Sequence, residues 1–374
     1  MNDNNETKNE QTTSLQSAAE HLVELASSKQ LVLLGDQIGI SQHVSFIAQL
    51  LPELYEAGVR NLAWEFTNSR AQQQLDGLLS SDEWDDAVCT ELFVDLMGIG
   101  FTYREYAEVV KAAWSLNQTL DSGASSFRII GLGIPTYVED PDLLDGRSAS
   151  ELELRNWWMG GHYRDVAAFH MANTLTNEIL RSGERAVVLV SSERSTTRFV
   201  QWEDGLPTAS VGNLLYRWMG EGVVRAVFHG AIADSLAVER VEALVAAAPE
   251  NPETFGIALN LATLGNVGLN EVVGSVDGVD TSLRLRDIAD SYIWITGVDD
   301  WEPCELIAGV VTSENFDQIE ARYQALDPRA TPWTRTELEQ IRMEGQAKLA
   351  DSWIKLPDKE EAPPKRSRFG RRQS

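Results

Sequence analysis

Two carboxylates stand where a sequence would place chemistry. Asp36 follows the continuous apolar run Leu31 to Leu34, after Gly35, and Glu65 lies at the end of a second run, Asn61 to Phe66. If both face one pocket, they could share a proton, hold a hard cation such as Mg²⁺ or Ca²⁺, or divide general acid and base work. The structural alternative has Asp36 capping a turn and Glu65 paired with an arginine. Glu193 and Arg194 follow a third apolar run, Ala186 to Val190. Arg194 could pair with Glu65 or Asp36 as an internal cation. It could instead join Arg198 in gripping a carboxylate or phosphate ligand, or be plain surface charge. His229 directly follows the run Val223 to Phe228. A metal site of Asp36, Glu65 and His229 competes there with an ordinary hydrogen-bonded histidine. Tyr103 and Tyr106, with Trp114, could line a pocket mouth or simply pack.

Other reactive types carry less. His43 lies near the same rim without being clearly aimed at it, and His170 shares a polar helical side with Asn173, Thr174 and Asn177. His21 and His162 belong to no constellation. Trp157-Trp158-Met159 could suggest a flat ligand, but adjacent helical residues point different ways, which favours packing. Ser191 and Ser192 lack a Gly-x-Ser-x-Gly elbow, and neither Cys89 nor Cys304 has a histidine beside it in sequence. Gly131-Leu132-Gly133 is a fragment of a dinucleotide fingerprint with no third glycine at the right offset.

The elements that must position these residues read as alternating strands and helices. Apolar runs near residues 31, 61, 127, 186, 223, 254 and 292 predict strands; runs apolar throughout suit strands buried on both faces. His43 to Tyr55 carries Val44, Ile47, Leu50, Leu51 and Leu54 at helical spacing, with Pro52 a candidate kink and Gly58 where a C-cap is expected. Strand, helix and strand here span one right-handed parallel crossover. In open parallel sheets ligands sit beyond the carboxyl ends of the strands, so Asp36 and Glu65 are expected to converge on one rim. Further helices are predicted at about 15–27, 69–79, 83–96, 103–120, 151–182 (breaking at Gly160–Gly161), 211–219, 235–247, 316–326 and 335–349. The expected fold is a layered α/β domain with a mainly parallel sheet, over residues 15–356, with a helical cap block at 69–120. Residues 1–14 and 357–374 are expected to be disordered tails.

Composition bounds the partners. The chain has 374 residues and a formal charge of −26. Its last ten residues, KRSRFGRRQS, carry five basic and no acidic side chains, leaving −31 on the remainder (−26 less the +5 of the tail). So acidic a body repels nucleic acid and anionic membrane surfaces. The tail could touch an anionic partner or be merely solvated. Two cysteines imply no disulfide framework. With no apolar leader and no apolar stretch of membrane-spanning length, the expectation is a cytoplasmic protein.

Four local patterns together resemble the haem-binding uptake (ChaN-like), Tiki and erythromycin-esterase superfamily. They are Gly35-Asp36-Gln37-Ile38 after a strand, where that group has Gly-Glu-x-His; the strand end Ala63-Trp64-Glu65-Phe66; Gln72 to Leu79 followed by Tyr103 to Asn117 and the run from Phe127; and AVVLVSSERSTTRF at Ala186 to Phe199, similar to a strand ending in Gly-x-x-His. The resemblance covers roughly residues 30 to 300. It implies an α/β fold with a pocket at the strand ends, and a metal or general-base role for the group's histidines and glutamate. The chain departs at both histidines: Ile38 stands at the first and Arg194 at the second. Isoleucine ligates nothing and arginine stays protonated. The expectation is therefore a divergent, metal-free member that binds a small ligand or protein partner at the rim, with no cofactor. A hydrolase using Asp36, Glu65 and Glu193, with or without a divalent cation, is the first alternative. A haem or iron carrier, with His229, a methionine or a tyrosine as axial ligand, is the second.

Overall fold

The computed structural model describes residues 16–94, 102–133, 161–198, 210–247, 253–260, 262–276, 279–320 and 333–356; side chains are described neither at 161–166 nor at 270–282. The expected tails, the segment Pro135 to Gly146, which its two prolines and several acids predict to be loop-like, and Trp157-Trp158-Met159 lie outside the described residues.

The strand–helix–strand unit forms as β1 (Leu31–Asp36), α2 (Ser41–Glu56) and β2 (Asn61–Asn68), preceded by α1 (Ala18–Ser28). Every residue of β1 and β2 is buried, as runs covered on both faces must be. Helix α2 buries Val44, Ile47, Leu50, Leu51 and Leu54 and continues through Pro52. Gly58 takes φ +86° beyond its end, and its N–H returns to the Tyr55 carbonyl. Then follow α3 (Gln72–Ser80), α4 (Asp86–Val94), α5 (Arg104–Gln118), β3 (Arg128–Gly133), α6 (Gly161–Glu178) and β4 (Ala186–Ser191). The short α7 (Ser192–Ser195), α8 (Val211–Met219), β5 (Val223–Phe228), α9 (Ser235–Ala246) and β6 (Phe255–Ala258) come next. The chain continues through β7 (Gly268–Val276), β8 (Val279–Arg284), α10 (Leu285–Ile288), β9 (Ser291–Trp294) and α11 (Arg335–Asp351).

Seven strands form one sheet in the order β3-β2-β4-β1-β5-β9-β6. All its pairings are parallel except β6 with β9. The expected mainly parallel α/β layering is what the chain adopts. One pair escapes the sequence reading: β7 and β8 make a separate antiparallel hairpin.

Side-chain alternation sorts the strands onto two faces. Val32, Leu34, Leu62, Trp64, Val187 and Leu189 join α1 to α5 in the largest core. Leu31, Leu33, Ala63, Val188 and Val190 pack under α6 and α8. Helices α2 and α5 start at the carboxyl-terminal rim, and residues 302–307 run across both starts. Ser41 N–H donates to Glu302 O at 2.9 Å, Cys304 N–H to Gly39 O at 2.8 Å, Arg104 N–H to Glu305 O at 2.8 Å and Ile307 N–H to Thr102 O at 2.9 Å. Two of these bonds, from Ser41 and Arg104, engage backbone donors at the helix entrances that the helices themselves leave free.

Candidate functional site

Asp36 and Glu65 both reach the rim, but on opposite faces of the sheet. Asp36 has the parity of Val32 and Leu34, so it faces α2; Glu65 has the parity of Ala63, so it faces α6. Both thus stand at the expected rim, but this alternation, which a strand-end position alone does not reveal, sends them to different faces.

On the α6 side, Glu65 is held at both oxygens. Arg194 Nε lies 2.7 Å from Oε1, and the Ser191 backbone N–H donates to Oε2 at 2.8 Å. The pair is mostly sheltered, at 20 % and 11 % side-chain exposure for Arg194 and Glu65. Arg194 rides on α7, and two features pin that turn. Gly35 leaves room for it: a Cβ there would lie 2.6 Å from Ser195 Oγ. Arg225 of β5, fully buried, donates from Nε to Ser195 Oγ at 2.9 Å and from Nη2 to the Ser192 carbonyl at 2.8 Å. Burial pulls this guanidinium down to about 9, so it remains a cation at neutral pH. Glu193 is exposed. Arg198 donates to the Asp287 carbonyl at 2.7 Å, so it does not form a fork with Arg194.

On the α2 side, His43 Nδ1 is hydrogen-bonded to Asp36 Oδ1 at 2.7 Å, and both groups are buried. Burial pushes the Asp36 carboxyl above its ordinary range; the bonds from His43 and from the Gln37 backbone pull it partly back. The imidazole stacks on Phe228 at 4.3 Å and meets the edge of Trp301 at 5.8 Å. Its Nε2 has no hydrogen-bond partner among the described residues. A carboxylate that fixes one ring nitrogen and leaves the other bare is the arrangement a general base needs. Tyr106 is buried nearby, its ring 4.8 Å from Trp64, and burial raises its phenol well above the usual value. Tyr103 packs edge-on against Tyr106 at 5.1 Å, likewise buried and raised.

His229 is not shared with either carboxylate. Nδ1 bonds to Tyr292 Oη at 2.7 Å and Nε2 to Glu242 Oε1 at 3.2 Å. Both ring nitrogens are thus occupied, which is the ordinary hydrogen-bonded outcome. Among the described residues no group of three His, Cys, Asp or Glu side chains is arranged to hold a metal ion, and Asp36, Glu65 and His229 form no such group.

His43 is the residue that sequence reading places near the rim but cannot aim. Its only signal is a histidine in the first turn of the helix that follows Asp36. Its aim depends on the turn at 37–40, where Gly39 takes φ +81°. Arg225 left a clearer trace, a lone charge inside the apolar run Val223 to Phe228.

No protein-family profile and no curated protein matches the sequence. Solved structures do resemble the fold. A mutant of the erythromycin esterase EreC in its open conformation is similar at 11 % identity and a TM-score of 0.50, over 74 % of this chain and 92 % of that one. A succinoglycan biosynthesis protein is similar at 12 % identity and 0.49, over 76 % and 91 %. A Bacillus cereus protein is similar at 11 % identity and 0.48, over 76 % and 92 %. At such identity the first likeness shows a shared fold alone, and the other two scores carry no argument.

Proposed function

We propose that this chain is a divergent relative of the ChaN-like, Tiki and erythromycin-esterase proteins that binds a small ligand or partner at the sheet rim without a resident metal. The observation that carries this reading is Glu65, whose two carboxylate oxygens are taken by Arg194 and by the Ser191 N–H. A carboxylate so held is poorly placed to ligate a cation or to activate water, and Arg194 supplies the positive charge that a metal otherwise would. Elemental mass spectrometry of the purified protein, before and after dialysis against chelator, tests it. The expected result is metal far below one ion per chain and an unchanged melting temperature on chelation. Near-stoichiometric metal that is lost from Glu65→Gln would overturn it.

One observation favours a second reading, hydrolysis without metal on the other face. His43 Nε2, opposite the nitrogen bonded to Asp36 and without a hydrogen-bond partner among the described residues, is the atom that would take a proton from water in this reading. Turnover of 4-nitrophenyl esters that survives both His43→Gln and Asp36→Asn would exclude it.

A further inference from the structure

The Asp36–His43 pair lies beneath two layers of the chain's own C-terminal part. The inner layer is residues 301–307. Trp301 makes a T-shaped contact with the His43 ring and packs so tightly on Gly230 that a Cβ there would lie 2.4 Å from the indole. Cys304 is 1 % exposed, and its buried thiol stands near Glu105 and Asp36. The outer layer is α11 and the residues after it. Gln346 donates to the Cys304 carbonyl, and Arg342 donates to Thr102 Oγ1 and, at 3.0 Å, to the Ile307 carbonyl. Trp353 Nε1 donates to the Ile38 carbonyl at 3.1 Å, and its ring meets Trp301 edge-on at 5.9 Å. Gly39, with φ +81°, admits Leu349 close above the turn between Asp36 and His43.

The inner layer is bonded to both helix entrances and contributes Cys304 to the main core, whereas the outer layer is lightly anchored. Within α11 the fully buried positions are Leu338 and Arg342. The apolar contacts of α11 and Trp353 fall in two small clusters, apart from the cores under the sheet faces. Its grip on the inner layer and the rim is mainly the handful of hydrogen bonds from Arg342, Gln346 and Trp353. Segments held in this way open at lower free energy than the core they cover.

We propose that residues 301–307, clamped from outside by α11 and Trp353, form an autoinhibitory strap that denies access to the Asp36–His43 pair until it lifts as a unit. The assignment of a function to that pair rests on the second reading above; the lifting does not.

The two thiols report it in the full chain. Cys304 sits on the strap and Cys89 on α4, and both are buried in the same main core, so a difference between them reports the strap rather than burial alone. Iodoacetamide labelling, followed by peptide mass spectrometry with no ligand or substrate present, gives a rate for each. Cys304 is expected to label faster than Cys89 in the unmodified chain. Gln346→Ala and Trp353→Ala, each removing one clamp, are expected to speed Cys304 by up to about tenfold, the change equivalent to one such bond, with Cys89 unmoved. Equal rates in the unmodified chain, or a parallel rise at both cysteines in the variants, would mean that only global unfolding exposes the site, and would overturn the proposal. Should Trp353→Ala fail to fold, the unmodified chain and Gln346→Ala still decide. A failed search for ligand or esterase activity leaves these rates untouched, so the strap and the functional reading fall separately.

Discussion

Removing Arg194 leaves the Glu65 carboxylate sheltered with its cation gone and, among the described residues, the Ser191 N–H as its remaining partner. An exposed ion pair is worth about 0–1 kcal/mol, whereas breaking a buried one costs about 3–5 kcal/mol. Since this pair is mostly sheltered, Arg194→Ala is expected to cost about 2–4 kcal/mol in urea unfolding. Adding Glu65→Gln should restore part of that, because a neutral amide needs no counter-charge. A double-mutant cycle with no coupling between the two positions would show that the contact does not hold the rim together. The two residue types were readable as rim candidates from their places after apolar runs. Their pairing was one of three open readings, because strand parity, not residue type, decides which side chains meet. The same parity sends Asp36 to His43. No residue-type pattern announces that contact, since it depends on a turn geometry set by Gly39 and by residues 302–307, far along the chain.

At the scale of elements, α7 is the piece that places Arg194, and it is held by packing from below. Gly35 in β1 and Gly212 in α8 both approach it closely; a Cβ on Gly212 would lie 2.5 Å from the Ser195 and Thr196 carbonyl oxygens. Gly35→Ala is therefore expected to push the turn outward and to destabilise by about 1–3 kcal/mol, as overpacked sites do. If the cause is displacement of α7, the coupling between Glu65 and Arg194 measured in the Gly35→Ala background should shrink; an unchanged coupling with a lower melting point would place the strain elsewhere. The strands were legible because runs buried on both faces are apolar throughout, and the helices because one stripe repeats at helical spacing. The β7–β8 hairpin was missed although Asp277-Gly278 between Val276 and Val279 is a strong two-residue turn signal. It lies outside the main sheet, so the layered pattern that organised the other strands gave no reason to look for it.

The molecule as a whole should respond to acid through its histidines. His229 is held below its ordinary pKa, mainly by burial and against the pull of Glu242; His21 and His170 are lowered in the same direction by the same cause. A histidine depressed in the folded state contributes stability above its unfolded value of 6.5 and loses it as pH falls through the folded value. Asp36 runs the other way: raised by burial, it favours the fold below 3.8 and loses that contribution as pH rises through its folded value. The net charge of −26 adds a third influence, since self-repulsion relaxes as carboxylates protonate and as salt screens them. These influences separate by condition. In about 0.5 M salt, where the screening length is only a few ångströms, the repulsion is largely removed and the buried groups remain. Urea midpoints taken there are expected to fall between pH 7.5 and pH 5.5, where histidine charging dominates over Asp36. His229→Gln should flatten that slope, because an amide keeps a polar partner for Tyr292 or Glu242 but takes up no proton. A slope unchanged by His229→Gln would assign the acid response to His21 and His170, and would mean that His229 gains its proton in the folded state as readily as in the unfolded chain.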